Sequence, residues 1–166
     1  MTRVVKIEKT GDPEVLKIEN IEIEQPGPDE ALIETKAIAL NFIDCYHRSG
    51  LYPVKLPSGI GLEASGIIKK VGAKVKDLTV GDHVAYISAP IGAYAEERVF
   101  PVNKLVKVPK DISLEVAATI MTKGLTTHYL LHKTYPVKAN DIILYHAAAG
   151  GVGQIFCQWA KSIGCK

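Results

Sequence analysis

The chain has 166 residues, 47% hydrophobic and 23% charged, the balance of a globular protein of one domain or a little more. Its net charge of +2 is too small to argue for nucleic acid or an anionic membrane as a partner. The three cysteines, Cys45, Cys157 and Cys165, form no CxxC pair and no regular framework, which excludes a disulfide scaffold and points to a reducing, cytoplasmic compartment.

The front of the chain reads as strands. TRVVKIEK is apolar and branched, and Gly11, Asp12 and Pro13 end it as a turn. Residues 15–25 alternate at Leu16, Ile18, Ile21 and Ile23, with a slip near Asn20 that predicts a bulge. EALIETKAIAL is a further strand. Residues 41–50 predict a short helix: Asn41 caps it, Asp44 falls three residues later, and Gly50 closes it. Asp44 and Arg48, four apart, predict a surface ion pair on that helix. EASGIIKKVG, DHVAYIS, AYAEERVF and KLVKVP follow as strands, separated by turns at Gly72, Gly81 and Gly92. Many short strands at this spacing predict a β-barrel or sandwich.

The pattern changes after Pro109. Ser113 caps a helical apolar pattern running through Ala118, and GLTTHYLLHKT predicts a second helix ending before Pro136. DIILYHA is a short, continuously apolar strand of the kind buried in a parallel sheet. Val152, Ile155, Phe156, Trp159 and Ile163 then mark one face of a helix ending at Gly164. The run without charge from Ile142 to Ala160 approaches the length of a membrane span, but its three glycines, His146, Gln154 and Gln158 divide it into strand, turn and helix. The expected organisation is mixed α/β: a β domain over residues 1–122, and the first β-α unit of a dinucleotide-binding domain over 123–166. The second part carries five lysines against one aspartate, a charge of +4 that leaves −2 for the first.

Between the last strand and helix stands Ala148-Ala149-Gly150-Gly151-Val152-Gly153. A dinucleotide site needs a tight turn here, because backbone amides must face the pyrophosphate and a Cβ would block the approach. The string is that fingerprint with its first glycine replaced by alanine. The acid about 20 residues on that would read the ribose falls past Lys166.

Zinc is a weaker reading. Cys45 and His47 alternate within one turn, and His128 and His132 form a helical i, i+4 pair with no third ligand evident. The expectation is no metal, with HYLLH a histidine-bearing amphipathic helix.

Taken together, GDPEVL (11–16), NFIDCYHRSGLYP (41–53), PSGIGLEASG (57–66), VGDHVAY (80–86), GAYAE (92–96), KGLTTHYLL (123–131), HAAAGGVG (146–153) and CQWAKSIG (157–164) resemble the zinc-independent medium-chain dehydrogenases/reductases of the NADPH:quinone oxidoreductase, zeta-crystallin type. The resemblance covers the whole chain in order. Zinc-dependent relatives carry metal ligands at the positions of Asn41, Leu62 and Thr122, none of which is a ligand type found at those positions in them, and Glu63 alone does not hold zinc.

The resemblance implies a GroES-like β-barrel domain followed by a truncated Rossmann domain, and hydride transfer from NADPH to quinones or similar electrophilic small molecules without a metal. It implies catalytic, substrate-side roles for Tyr46 and Tyr52, whose alternative is packing, and a nicotinamide pocket containing Asn41 and Thr126. It implies cofactor binding by Asn41, Lys123, Thr126, Ala148, Ala149, Gly150, Gly151, Val152 and Gly153, and a homodimer for the full-length protein. Enone or enoyl reduction, and a non-catalytic binding or structural role, stand as alternatives. The turn is expected to open a domain whose remainder lies past Lys166, so residues 1–166 alone are expected to expose Phe156, Trp159 and Ile163 and to show little activity.

Overall fold

The computed structural model describes all 166 residues, which fall into two compact units, Met1–Thr119 and Ile120–Lys166. The first contains β1 (Thr2–Ile7), β2 (Lys17–Ile21), β3 (Glu30–Ala39), α1 (Phe42–Ser49), β4 (Ser58–Gly59), β5 (Glu63–Val71), β6 (His83–Ile87), β7 (Glu97–Pro101) and β8 (Val106–Lys107). A helix α2 (Leu114–Tyr129) carries the chain through the division, and α3 (Gly151–Ile163) completes the second unit.

The strands form two sheets, β2-β1-β4 and β7-β3-β5-β6-β8, all pairs antiparallel. They do not close into one hydrogen-bonded barrel. A bridge between Val4 and Ala95 and the bond from the Val5 amide to the Tyr94 carbonyl (2.8 Å) join them instead. The core sits on one face of the larger sheet, where alternate residues point inward: Ala31 and Ile33, Ala64 and Ile68, Val84 and Tyr86, and Phe100. Tyr86 stacks on Phe100 at 4.3 Å, and the Arg98 guanidinium lies over both rings while donating to the Pro90 carbonyl at 2.8 Å.

One expectation about the strands fails. No bulge occurs near Asn20, because β2 pairs with β1 in unbroken register and ends at Ile21, leaving Ile18 exposed. The irregularities lie in β3, between Leu32 and Ile33 and between Thr35 and Ala37. There the strand crosses Gly66, where a Cβ would come within 2.2 Å of the Glu34 carbonyl oxygen.

A second expectation that fails concerns the helices. The two predicted after Pro109 are one continuous α2, extended by a single π turn over Leu130–Thr134. Gly124 inside it did not break it, since one glycine costs only about 1 kcal/mol against a well-packed helix. The Ser65 hydroxyl ties the helix start to β5 by donating to the Leu114 carbonyl at 2.5 Å.

In the second unit α3 packs Phe156 and Ala160 against Leu131, with Ile143 and Tyr145 alongside, and Tyr145 stacks on Phe156 at 4.3 Å. Of the α3 residues expected to be exposed, Phe156 is therefore buried and Trp159 and Ile163 are half-buried. Exposure falls instead on the predicted strand 141–147, which forms no ladder. Its alternate residues Ile142 and Leu144 are 87% and 86% exposed. Lys166 donates to the Asp141 carbonyl (2.8 Å) and Ile143 to the Lys166 carbonyl (2.9 Å). Two bonds bracketing Ile142 in this way are the pattern of a parallel pair. No helix is long and apolar enough to cross a membrane.

Candidate functional site

Each unit holds its own group of site residues. In the first, Asn41 precedes α1, and its side-chain amide donates to Glu63 at the start of β5 at 2.6 Å. Glu63 is fully buried and Asn41 nearly so. The backbone N–H of Asn41 donates to the Asp44 carboxylate at 3.0 Å, and the Tyr94 hydroxyl donates to the same oxygen at 2.9 Å. Burial pushes the Tyr94 phenol well above its usual value, and the Asp44 carboxylate beside it pushes the same way.

Asp44 thus turns inward, and the expected surface ion pair with Arg48 does not form. Arg48 donates from Nε to the Gly11 carbonyl at 3.1 Å, while the Gly11 amide donates to the Arg48 carbonyl at 2.9 Å. The buried Asp44 serves the helix N-terminus, where a carboxylate is favoured by the orphan amides and the dipole.

One turn further along, Phe42, Tyr46 and Tyr52 make a chain of rings, at centroid distances of 5.2 and 5.1 Å. Phe42 is 74% and Tyr52 48% exposed, so this is an aromatic surface rather than core. It offers flat contact area and two phenol hydroxyls. Sequence reading assigned Tyr46, Tyr52 and Asn41 to the site; it gave no role to Tyr94, 50 residues from Asp44, and dismissed Glu63. The spacing of Asn41 and Asp44 signalled their bond, but nothing local signals the other two.

In the second unit the turn has the tightness expected of it. Ala147 takes a left-handed φ of 56°, and the Gly150 amide donates to its carbonyl at 2.9 Å. A Cβ on Gly153 would lie 2.6 Å from the carbonyl oxygens of Ala147 and Ala148. On Gly151 it would lie 2.9 Å from Cε of Lys123, whose aliphatic stem crosses that glycine. Ala148, Ala149, Gly150 and Gly151 are exposed, Val152 is half-buried, and Gly153 is buried. Lys123 and Thr126, three residues apart on α2, share a helix face and are half-buried. An open glycine turn feeding a 13-residue helix fits a pyrophosphate. No three His, Cys, Asp or Glu side chains converge. His128 and His132 pack against Trp159.

A GroES-like β domain followed by a Rossmann-type glycine turn defines the architecture of a medium-chain dehydrogenase/reductase. The chain belongs to the alcohol dehydrogenase GroES-like domain family, whose sequence profile matches residues 27–110. It is 49% identical, over 99% of its length and 51% of the relative's, to a quinone oxidoreductase of Pseudomonas aeruginosa. A 2-haloacrylate reductase of Burkholderia sp. is 42% identical over 99% of this chain and 51% of that protein. The crystal structure of Escherichia coli quinone oxidoreductase complexed with NADPH superposes with a TM-score of 0.96 at 48% identity, covering 100% of this chain and 51% of that one. The chain spans about half the length of the curated relatives it matches.

Proposed function

We propose that this chain serves an NADPH-dependent reductase that delivers hydride to quinones without a metal. The observation that carries the reading is the glycine turn into α3, where Gly153, in the first turn of the helix, sits too close to two carbonyl oxygens to admit a side chain. The amides of Gly151 to Gly153 and the Lys123 ammonium would hold the phosphates, with Ala148, Ala149 and Gly150 keeping the approach clear. Thr126, on the α2 face that carries Lys123, would lie toward the nicotinamide. NADPH, when bound, supplies the hydride. The Asn41–Glu63 bond fixes the amide, and Tyr46 and Tyr52 offer hydroxyls to a substrate oxygen. Hydride addition to a quinone yields a phenolate that is already stabilised, so Lewis-acid help is dispensable. The names of the quinone oxidoreductase relatives support the same substrate class.

NADPH oxidation by the full-length protein, measured with a naphthoquinone and with an enone, tests this. Turnover of the quinone is expected, reduced at least about tenfold by Phe at whichever of Tyr46 and Tyr52 donates to the developing oxyanion. A faster reaction with the enone would favour an enone reductase, the reading that the 2-haloacrylate reductase supports. Failure to bind NADPH at all would sink both and favour a binding or structural protein.

A further inference from the structure

Two exposed histidines of the second unit stand outside the reading above. His128 lies in the last turn of α2 and His132 four residues on, in the π turn. Their ring centroids are 5.0 Å apart with planes at 52°. Leu131, between them in sequence, is fully buried against Phe156 and Ala160, so the segment that presents the rings is anchored. Trp159 borders both rings, at 5.3 Å from His132 and 6.0 Å from His128.

Metal–imidazole bonds are about 2.0–2.1 Å long. Two imidazoles on one ion, at angles between about 90° (tetragonal) and about 109° (tetrahedral), therefore hold their centroids roughly 4.5–5.2 Å apart. The observed spacing falls in that window. We infer that His128 and His132 form a two-histidine chelate for a borderline divalent transition ion such as Ni²⁺, Cu²⁺ or Zn²⁺. Neutral imidazole suits these ions, whereas Mg²⁺ and Ca²⁺ require oxygen ligands. Two protein ligands leave the other positions to water, which makes this an exchangeable site and not a closed structural one. The site is independent of the proposed NADPH chemistry, and ion binding would pin the π turn.

Trp159 is the only tryptophan of the 166 residues and borders the site, so it reports on it. The chain is titrated with nickel chloride while its fluorescence is followed, with magnesium chloride as the control. Quenching is expected to saturate at one Ni²⁺ per chain, and Mg²⁺ to give none. His128→Asn and His132→Asn should each weaken binding roughly tenfold or more, through loss of the chelate. Cys157→Ser should bind as the parent does. Should an Asn variant fail to fold by circular dichroism, the Gln variant at that position replaces it. Three results would overturn the site: an effect of less than about tenfold from both histidine variants, loss of quenching in the Cys157 variant, or equal quenching by Mg²⁺.

Discussion

Glu63 has no exposure to water, and it accepts from the Asn41 amide at 2.6 Å. Removing one partner of a buried hydrogen bond costs about 1–3 kcal/mol. Asn41→Ala should therefore lower unfolding free energy by about 2 kcal/mol, read as a lower urea midpoint at unchanged slope. Its neighbour Tyr94 makes a pH prediction. Burial and Asp44 raise its folded-state pKa, so the folded chain holds the phenolic proton more tightly than the unfolded one. The stability this contributes is complete below the ordinary tyrosine value of about 10 and is lost as pH rises beyond it. Tyr94→Phe should flatten the fall of the urea midpoint between pH 9 and 11; an unchanged fall would assign it to other groups. Of these contacts, only the three-residue spacing from Asn41 to Asp44 was visible in the sequence. The partners of Asn41 and Asp44 across the fold, Glu63 and Tyr94, lie 22 and 50 residues away, and no local pattern encodes such a distance.

The elements separate two glycines that look alike in the sequence. At Gly153 an added methyl meets two backbone oxygens at 2.6 Å, which can move only with the turn itself. At Gly151 it meets the flexible stem of Lys123 at 2.9 Å. Gly153→Ala is expected to cost about 1–3 kcal/mol and to abolish NADPH binding. Gly151→Ala should fold as the parent does, because the lysine gives way. Thermal melts and NADPH titrations of the pair check this; equal damage from both would contradict the contacts. Most elements were legible because their period is local: α1, β3, β5, β6 and α3 follow their apolar patterns closely. The joining of two predicted helices into α2 was not, because continuity across Gly124 is decided by packing at Ala117, Ala118 and Leu131, which are buried. The bulge was placed in the wrong strand because a change of parity in sequence does not say which residues pair.

At the scale of the molecule, the apolar surface lies where the pattern suggested burial. Ile142 and Leu144 face outward, while Ile143 and Tyr145 are covered by α3. Apolar faces of this kind drive association. Leu144→Gln should leave the melting temperature of the 166-residue chain unchanged and reduce its concentration-dependent association in sedimentation; undiminished association would locate the contact elsewhere. The class of protein, the strand-rich front, the glycine turn and the helix after it were all legible from the residues in order. These rest on residue type, on periods of two and 3.6, and on backbone clearance, all of which are local. That the strands fall into two sheets, that Asp44 turns inward to Tyr94 instead of outward to Arg48, and which face of residues 142–145 is covered came from packing across the fold. Those outcomes depend on which distant surfaces meet, and the free energy of burying a side chain is set by its partner rather than by its own identity.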